Sequence, residues 1–422
     1  MTSVAPEVAM ETASLNLGDP EAYTDGVPYD VFARLRREAP VAWIDEPARP
    51  ERNLAAGPGF WAVTRHADVD AVSRDQATFS SWLGTTFLRD PRPQEVPLLR
   101  QMMLNMDPPE HTNLRRIVSR VFTPRAVAEL MGSIEGYATA IVDAVAEKGE
   151  VDFVEEVAAE MPLLVLADVL GVPGEDRHLL FDWTNRLIGY DDPEFGGDDA
   201  GFRSAFTDMF AYAAEKTKEK RANPGEDVWS RIVNAEVDGQ RLSRTELERF
   251  FQLLVVAGNE TTRNHLTGAL YALSLHPADW DRLRGDLSLM PGVLEEVLRW
   301  WPPVIQFRRT ATKDTELAGQ PIAEGDKVVI FYASANRDEA IFADPDRFDI
   351  TRDPNPHLSF GVGPHFCLGA ALAKLEAKVL LTELFTRLPD LEVAGPPERL
   401  RSNFINGIRH LPVRFTPQKV SG

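Results

Sequence analysis

The chain has 422 residues and a formal net charge of −20, a balance that disfavours nucleic acid and anionic membranes as partners. It contains no run of 18 apolar residues that could span a bilayer, and residues 1–15 lack the basic start and apolar core of a secretory signal. Together with a single cysteine, which suits a reducing compartment, these features predict a soluble, cytoplasmic protein without a membrane anchor.

The first part of the chain predicts a short tail and then one folded domain. The composition of residues 1–20 predicts a disordered tail, and residues 21–422 contain neither a linker nor an internal repeat, so they form a single domain. A strand is predicted at 59–64 and a helix at 67–73. Residues 83–109 are rich in proline and predict an irregular, functional connection.

Helical spacing of apolar residues dominates the rest of the chain. It extends through 110–190, where an acidic loop with a Gly pair, residues 190–201, separates helices near 175–189 and 202–221. This loop could let its flanking helices open as a lid. Strand patterns return only at 327–331 and 413–415. The predicted fold class is therefore mainly α, an α-rich α+β domain with small β-sheets.

A long helix is predicted between the capping box of Ser243 and Glu246 and the helix breaker Pro277. Its middle, AGNETT at 257–262, contains poor helix formers, and a broken local rule often marks a functional place. Ala257 removes side-chain bulk, so a flat cofactor could lie against the backbone. Glu260 and Thr261 form an acid–alcohol pair; the alternative is a surface Glu beside a Thr bonded back to its own helix.

The cysteine lies in the loop FGVGPHFCLG at 360–369, directly before a helical stretch at 370–381. Glycines on both sides of Cys367 allow a sharp turn and close approach to a flat group. Amides at the helix N-terminus would favour the thiolate over the thiol. A buried structural cysteine in a Gly-rich turn is the alternative. One thiolate with these neighbours instead indicates a ligand for iron.

This loop resembles the haem-binding loop of the cytochrome P450 family, the haem-thiolate monooxygenases, at every fixed position of the pattern FGxGxHxCxG. The resemblance extends from about residue 20 to about residue 415. It implies a P450 fold and the cofactor haem b (heme b, iron protoporphyrin IX), with Cys367 as the metal ligand and Phe360, Gly369 and Ala257 against the haem. It also implies that Thr261 hydrogen-bonds bound dioxygen or its water, and that Glu260 relays protons.

Further haem contacts and a structural network are carried over from the family. His111, Arg115, Arg309 and His365 match positions that hold the haem propionates; Arg308 is the rival for Arg309, which is preferred because Arg-Thr-Ala matches the family pattern. Glu296 and Arg299 match the family's Glu-x-x-Arg pair, and Arg347 matches its third partner. We interpret this network as structural support for the haem loop.

The family places the substrate pocket above the haem, and its predicted residues are mostly apolar, which fits a small hydrophobic substrate. They are Phe87, Met103, Leu254, Val304, Ile305, Phe404 and Ile405. The stretches MLNMDPPEH (103–111), VAGNETTRN (256–264) and RLRSNFINGI (399–408) look like those of actinobacterial hydroxylases of sterol side chains, branched lipids and terpenoids.

The sequence therefore predicts a monooxygenase that hydroxylates a steroid, a terpenoid or a lipid-like molecule with O2. One cysteine and no Gly-x-Gly-x-x-Gly turn leave the electrons to separate proteins, ferredoxin and ferredoxin reductase, docking near Arg116, Arg120 and Lys374. We expect a monomer. One alternative is a tailoring hydroxylase for a natural-product intermediate, perhaps carrier-bound. Another is a non-catalytic haem sensor, against which the acid–alcohol pair argues. A peroxide-driven peroxygenase is disfavoured for the same reason.

Overall fold

The computed structural model describes residues 16–48, 55–188, 192, 194, 199–237 and 239–419. Residues 1–15 of the predicted tail lie outside this range, whereas residues 16–20 are folded, with Leu17 only 1% exposed and Asp19 capping a short 3₁₀ turn. The folded domain thus begins at least five residues before the predicted boundary. In the described part of the chain, no helix combines the length and apolar composition needed to cross a bilayer.

Helices form most of the described structure. In chain order they are α1 (Tyr29–Glu38), α2 (His66–Arg74), α3 (Val96–Leu99), α4 (Glu110–Val118), α5 (Pro124–Glu129), α6 (Met131–Ala146), α7 (Glu160–Leu170), α8 (Arg177–Ile188), α9 (Asp199–Ala222), α10 (Val228–Asn234), α11 (Arg244–Leu275), α12 (Pro277–Gly285), α13 (Met290–Trp300), α14 (Tyr332–Ala335) and α15 (Ala370–Arg387). A π-helical turn, Val154–Ala158, precedes α7.

The strands are short and belong to small sheets, as predicted. They are β1 (Val41–Ile44), β2 (Phe60–Val63), β3 (Phe79–Ser80), β4 (Glu150–Asp152), β5 (Glu236–Val237), β6 (Gln240–Arg241), β7 (Gln306–Ala311), β8 (Thr315–Leu317), β9 (Gln320–Ile322), β10 (Lys327–Phe331), β11 (Glu392–Val393), β12 (Glu398–Arg399), β13 (Ile408–His410) and β14 (Pro412–Arg414).

The largest sheet has the order β1-β2-β10-β7-β3, and β10 lies parallel to β2 and antiparallel to β7. Alternate residues of β10 enter different cores: Val328 and Ile330 pack on one face, Val329 and Phe331 on the other. A strand buried on both faces explains its continuous apolar pattern. A second sheet, β11-β14-β4, joins the C-terminal strands to residues 150–152.

Helix α11 is the centre of the helical core and packs against α7, α8, α9, α13 and α15. The predicted capping box is present, because the Ser243 side chain accepts from the Glu246 amide and the Glu246 carboxylate accepts from the Ser243 amide. The helix ends at Leu275, two residues before the predicted breaker Pro277, and His276 is its C-cap. Its middle third therefore lies inside the domain, where it forms one wall of a cavity.

Candidate active site

A large cavity lies between α11, α7, the start of β7 and the loop that carries Cys367. Its empty volume is about 1580 Å³ when the part that opens to solvent is included. One end is bounded by the loop at 359–369 and by basic side chains, and the remaining walls are almost entirely apolar. The cavity thus separates a polar floor from an apolar chamber, as expected for a site that holds a cofactor and an apolar ligand together.

The floor is built by the glycine loop before α15. Gly361 and Gly363 have φ of +69° and +74°, a left-handed conformation that glycine adopts without strain. The Cys367 amide donates to the Phe360 carbonyl over 2.8 Å, which closes the loop on itself. A Cβ on Gly369 would meet no atom within 4 Å, and Gly369 lines the cavity, so the space beside the sulfur is open to a flat group.

The electrostatics of Cys367 combine opposing contributions. Burial raises the pKa of the thiol, while amide hydrogen bonds from Gly369 and Ala370 and the charge of Arg115 lower it. The predicted contribution of the α15 N-terminus is present, but burial outweighs it, so the pKa stays above its ordinary value. A metal cation at the sulfur would supply the missing stabilisation of the thiolate, since coordination deprotonates a thiol.

Four basic side chains gather at the same end of the cavity. The rings of His111 and His365 are in contact, with centroids 4.1 Å apart and planes tilted by 40°, and Arg115 Nη2 donates to the Phe366 carbonyl. Buried Arg309 donates to the Arg308 carbonyl over 2.8 Å. Burial and the neighbouring arginines lower the pKa of His111 to about 4 and that of His365 well below its usual range. Predicted from separate parts of the chain, these four residues meet at one place.

Among the described residues, no carboxylate of the protein forms a hydrogen bond with these four basic side chains. Within the same described part of the chain, both ring nitrogens of His111 and the Nε of Arg309 are without a hydrogen-bond partner. Asp107, the nearby carboxylate, is occupied by the Ser81 amide and the Ser80 hydroxyl. Buried donors without acceptors are costly, so the arrangement fits a ligand that brings carboxylates. The residues present therefore fit haem b, with its propionates at these groups and its iron at Cys367.

A buried network supports the loop from behind. Arg299 donates from Nε and Nη2 to the two oxygens of Glu296 over 2.8 and 2.7 Å, and both side chains are fully buried. Arg299 also donates to the Asn336 carbonyl over 3.0 Å. The Asn336 side chain in turn holds the Leu358 amide and the Ser359 hydroxyl, immediately before the glycine loop. The predicted supporting role thus has a continuous structural path.

The prediction that the Arg347 side chain is the third member of this network is wrong. Its side chain is 69% exposed and lies 3.9 Å from Asp349, and only its backbone carbonyl reaches the network, as an acceptor for Arg299. Arg352 takes the place instead, with Nε 3.3 Å from Glu296 Oε2. The reason is the path of the loop, which turns the Arg347 side chain to solvent and the Arg352 side chain inward.

Thr261 and Ala257 lie on the face of α11 that borders the cavity. The Thr261 hydroxyl donates to the Ala257 carbonyl over 2.7 Å, which is the back-bond considered as the alternative from sequence. This bond commits the hydroxyl proton to the helix, whereas the oxygen can still accept a hydrogen bond, so the predicted role of Thr261 at bound dioxygen stays a prediction. Ala257 is exposed to the open cavity, consistent with the predicted close approach of a flat group.

Glu260 is buried and does not line the cavity, because adjacent positions on a helix point about 100° apart. Its Oε1 accepts from Arg263 Nη2 over 2.5 Å and from Asn264 Nδ2 over 2.9 Å. Arg263 also donates to Asn185 of α8 over 3.1 Å. Among the described residues, Oε2 of Glu260 has no partner, so one carboxylate oxygen remains available for a water.

The apolar chamber contains three of the predicted pocket residues, Met103, Leu254 and Val304. The prediction of Ile305 as a pocket residue is wrong. Its side chain is 1% exposed and packs in the core on the opposite side of the extended segment, because successive side chains of such a segment point to opposite faces. Ile405 is also buried away from the cavity, where its backbone bridges to Val304. Both predictions named a segment correctly and a side chain wrongly.

Phe87 and Phe404 stand one layer behind the wall, a second correction. Their rings lie 5.4 Å apart, and Phe404 lies 5.4 Å from Phe307, which borders the cavity itself. Sequence reasoning missed Phe307 and several helical residues that share one face at helical spacing. On α11 and α7 these are Phe250, Leu253, Pro162, Val165, Leu166 and Val169. The spacing from Leu254 and Ala257 could have found the first two.

Two other predictions have mixed outcomes. Most of the loop at 190–201 lies outside the described residues, so its lid role stays a prediction; the flanking helices α8 and α9 are present. Of the basic docking residues, Arg116 and Arg120 are exposed on and after α4, whereas Lys374 lies 2.8 Å from Glu295 in an ion pair.

Comparison with known proteins agrees with this geometry. A protein-family model described as Cytochrome P450 matches residues 174–394. The chain is 42% identical to a steroid C26-monooxygenase of Rhodococcus jostii over 94% of this chain and 84% of that protein. It is also 42% identical to a methyl-branched lipid omega-hydroxylase of Mycobacterium tuberculosis over 97% and 96% of the two chains.

Among solved structures, a Mycobacterium marinum cytochrome P450 in complex with pseudoionone has a TM-score of 0.85 and 42% sequence identity, covering 92% of this chain and 94% of that one. The predicted P450 fold is thereby confirmed. Because relatives with more than 40% identity span nearly the whole chain, and because the cysteine loop and the basic cluster are both in place, this chain belongs to the cytochrome P450 family of haem-thiolate monooxygenases.

Proposed function

We propose that this enzyme hydroxylates the end of a branched, uncharged hydrocarbon chain, with a steroid side chain as the first candidate and a methyl-branched lipid as the second. The main support is the cavity wall: away from the cysteine loop and the basic cluster, most lining residues are apolar, and among the described residues no lysine or arginine lies there. A carboxylate substrate would need a donor there. The names of the two relatives both specify a position near a chain end.

The reaction is a balanced monooxygenation: R–H, O2, two electrons and two protons give R–OH and water. When bound, haem supplies the activation of O2 and the insertion of one oxygen atom into the C–H bond. The chain's own residues hold the substrate in an apolar chamber that excludes water. They also deliver protons at the Thr261 face, where the hydroxyl oxygen can accept from a water and Glu260 lies one residue away.

The electrons are proposed to come from an acidic ferredoxin in the cytoplasm, where the single thiol stays reduced. The support is local: Arg115 joins α4 to the Phe366 carbonyl, the Phe366 ring is exposed, and Arg116 and Arg120 follow on the same segment. A basic and apolar surface close to Cys367 suits an acidic partner despite the net charge of −20.

The substrate class is tested by visible-absorption titration of the ferric protein. We expect a sterol with its full branched side chain to shift the spectrum from low to high spin at micromolar concentration, because the chain end would exclude water from the end of the chamber near Cys367. A steroid with the same rings and no side chain is the matched control and should give a shift at least about tenfold weaker in affinity. Product analysis should place the hydroxyl at the chain end. Equal response to both steroids, or a response only to a macrolide precursor, contradicts the proposal.

The role of Thr261 is tested by Thr261→Ala. We expect substrate binding to persist while the fraction of electrons recovered in product falls about tenfold or more, because the hydroxyl that orders the proton supply is gone. The matched control is Thr267→Ala, since Thr267 lies on the same helix and donates to the Arg263 carbonyl over 2.9 Å but does not line the cavity. Equal coupling in Thr261→Ala and wild type would refute the role.

A further inference from the structure

A second cavity lies beside the active-site cavity and takes no part in the chemistry described so far. It is bounded by the segment at 100–106, helix α4, strand β6 and the start of α11, and its empty volume is about 1260 Å³ when the part that opens to solvent is included. One side is formed by Trp82, which is 38% exposed. The floor consists of four buried apolar side chains, Met106, Leu114, Ile117 and Leu242.

Helix α4 is a wall of both cavities. His111 and Arg115 line the active-site cavity. A different face of the helix lines the second cavity, and its residues follow the spacing i, i+3, i+4, i+7. They are Glu110, Asn113, Leu114 and Ile117. The helix that supplies two of the four basic residues to the active-site cavity therefore rests, on this other face, against open space.

The segment before α4 is divided between the cavities in the same way. Met103 and Leu104 line the active-site cavity, whereas Gln101 and Met106 line the second one. A wall with open space on both sides has fewer packing contacts than a segment inside the core. A ligand in either cavity would therefore change how firmly this wall is held.

The two arginines that line the second cavity already have partners in the protein. Arg100 donates from Nε to the Trp82 carbonyl over 2.8 Å and from Nη2 to the Leu83 carbonyl over 3.0 Å, and its guanidinium lies over the Trp82 ring. Arg241 donates to the Glu236 carboxylate over 2.8 Å. Neither guanidinium is therefore held in reserve for an anion.

Two carboxylates balance these arginines in the described lining of the cavity. Glu246 accepts from the Ser243 amide over 2.7 Å in the capping box of α11, and Glu110 is exposed at the start of α4. An anionic ligand would meet both carboxylates, and a cationic ligand would meet both arginines. The charges of the second cavity therefore favour an uncharged ligand.

Gln101 adds a polar group to this mostly apolar surface. Its side chain lines the cavity, and nothing in the described part of the chain forms a hydrogen bond with its Oε1. No bond of that oxygen therefore opposes a turn of the amide group toward a ligand. An amide oxygen accepts hydrogen bonds and does not donate them, so its partner must be a donor. A hydroxyl is a donor that brings no charge.

We propose that the second cavity binds an uncharged lipophilic alcohol, with its hydroxyl at the Gln101 amide and its apolar body against Trp82 and the floor, and that the bound alcohol strengthens substrate binding in the active-site cavity. A ligand that fills the second cavity supports α4 and the segment at 100–106, so substrate meets a wall already in place. By reciprocity, substrate strengthens binding of the alcohol by the same factor. The site itself is independent of turnover, whereas the coupling rests on the substrate class proposed above.

The site is tested by equilibrium dialysis of the haem-loaded protein with androstanol, a steroid alcohol without a side chain. We expect Asn113→Trp to weaken androstanol binding at least about tenfold, because an indole at this exposed position of α4 would occupy the cavity. The matched control is Thr112→Trp, since Thr112 is the adjacent exposed residue and lines neither cavity. It should bind androstanol as wild type does.

The role of Gln101 is tested with a matched pair of ligands. Wild type should bind androstanol about tenfold more tightly than androstane, which has the same rings and no hydroxyl. Gln101→Leu should remove this difference by weakening only the binding of androstanol. Androstanol binding that survives Asn113→Trp unchanged would overturn the site, and equal affinity of wild type for the two steroids would overturn the assignment to an alcohol.

The coupling is tested by repeating the spin-state titration with the full-length sterol in the presence of androstanol. Competition inside the active-site cavity can only weaken sterol binding, so a gain in affinity requires a separate site. We expect a gain of about threefold in wild type and in Thr112→Trp, and none in Asn113→Trp. Weaker or unchanged sterol binding in wild type would overturn the coupling. Failure of the substrate proposal would instead show as no spin-state response to sterol in any of these proteins; the titration then uses the methyl-branched lipid, and the dialysis result stands.

Discussion

Replacing Cys367 by serine is expected to abolish the red-shifted absorption band of the reduced protein treated with carbon monoxide, and to lower haem content. A serine hydroxyl keeps the two amide donors of Gly369 and Ala370 but does not ionise under conditions in which iron deprotonates a thiol. Because Cys367 is the only cysteine, no disulfide is disturbed. Unchanged circular dichroism would verify the fold, and an unchanged absorption band would rule out thiolate ligation.

The same substitution should also change the number of protons that the protein releases when it binds haem. Without metal, burial keeps the pKa of Cys367 above its ordinary value, so the thiol is protonated at pH 7. Loading haem into the apo chain should therefore release close to one proton to a weakly buffered solution, and haem affinity should rise with pH as deprotonation becomes easier. Cys367→Ser should release no such proton. Equal release from both proteins would mean that a group other than the Cys367 thiol supplies the proton.

Local patterns were predictable from the sequence because their physics is local. The capping box of Ser243 and Glu246 satisfies backbone donors within one turn, and it marked the start of α11 to the residue. The loop around Cys367 was equally local, since glycine conformation and the helix start follow within ten residues. The convergence of His111, Arg115, Arg309 and His365 was predictable only through the family resemblance, because no property of one segment indicates which distant segment it meets.

The wrong predictions concern how deeply a side chain is buried and in which direction it points, and neither property can be read from the sequence. Arg347 and Arg352 are both plausible partners for Glu296, and only the loop path decides between them. Val304 and Ile305 differ by one position and therefore by face.

Arg299→Lys is expected to lower the free energy of unfolding by about 3–5 kcal/mol and to release haem. The guanidinium makes a two-point contact with Glu296 and donates to the carbonyls of Asn336, Pro345 and Arg347, all inside the protein. A lysine keeps the charge but cannot reproduce this fork, so Glu296 is left buried and incompletely paired. Urea unfolding monitored by fluorescence and by haem absorbance measures both losses.

The control separates the network from its sequence motif. Arg347→Lys should change the free energy of unfolding by no more than about 0.5 kcal/mol, because the exposed side chain contributes little and the carbonyl that accepts from Arg299 remains. Arg352→Lys should fall between the two, since Arg352 Nε reaches Glu296 from a largely buried position. An Arg347→Lys variant as unstable as Arg299→Lys would restore Arg347 to the network. The expected order, with Arg299→Lys the least stable variant and Arg347→Lys the most stable, would mean that position 347 supports the haem loop through its backbone carbonyl. The Arg347 side chain, which the motif names, would then contribute nothing to the network.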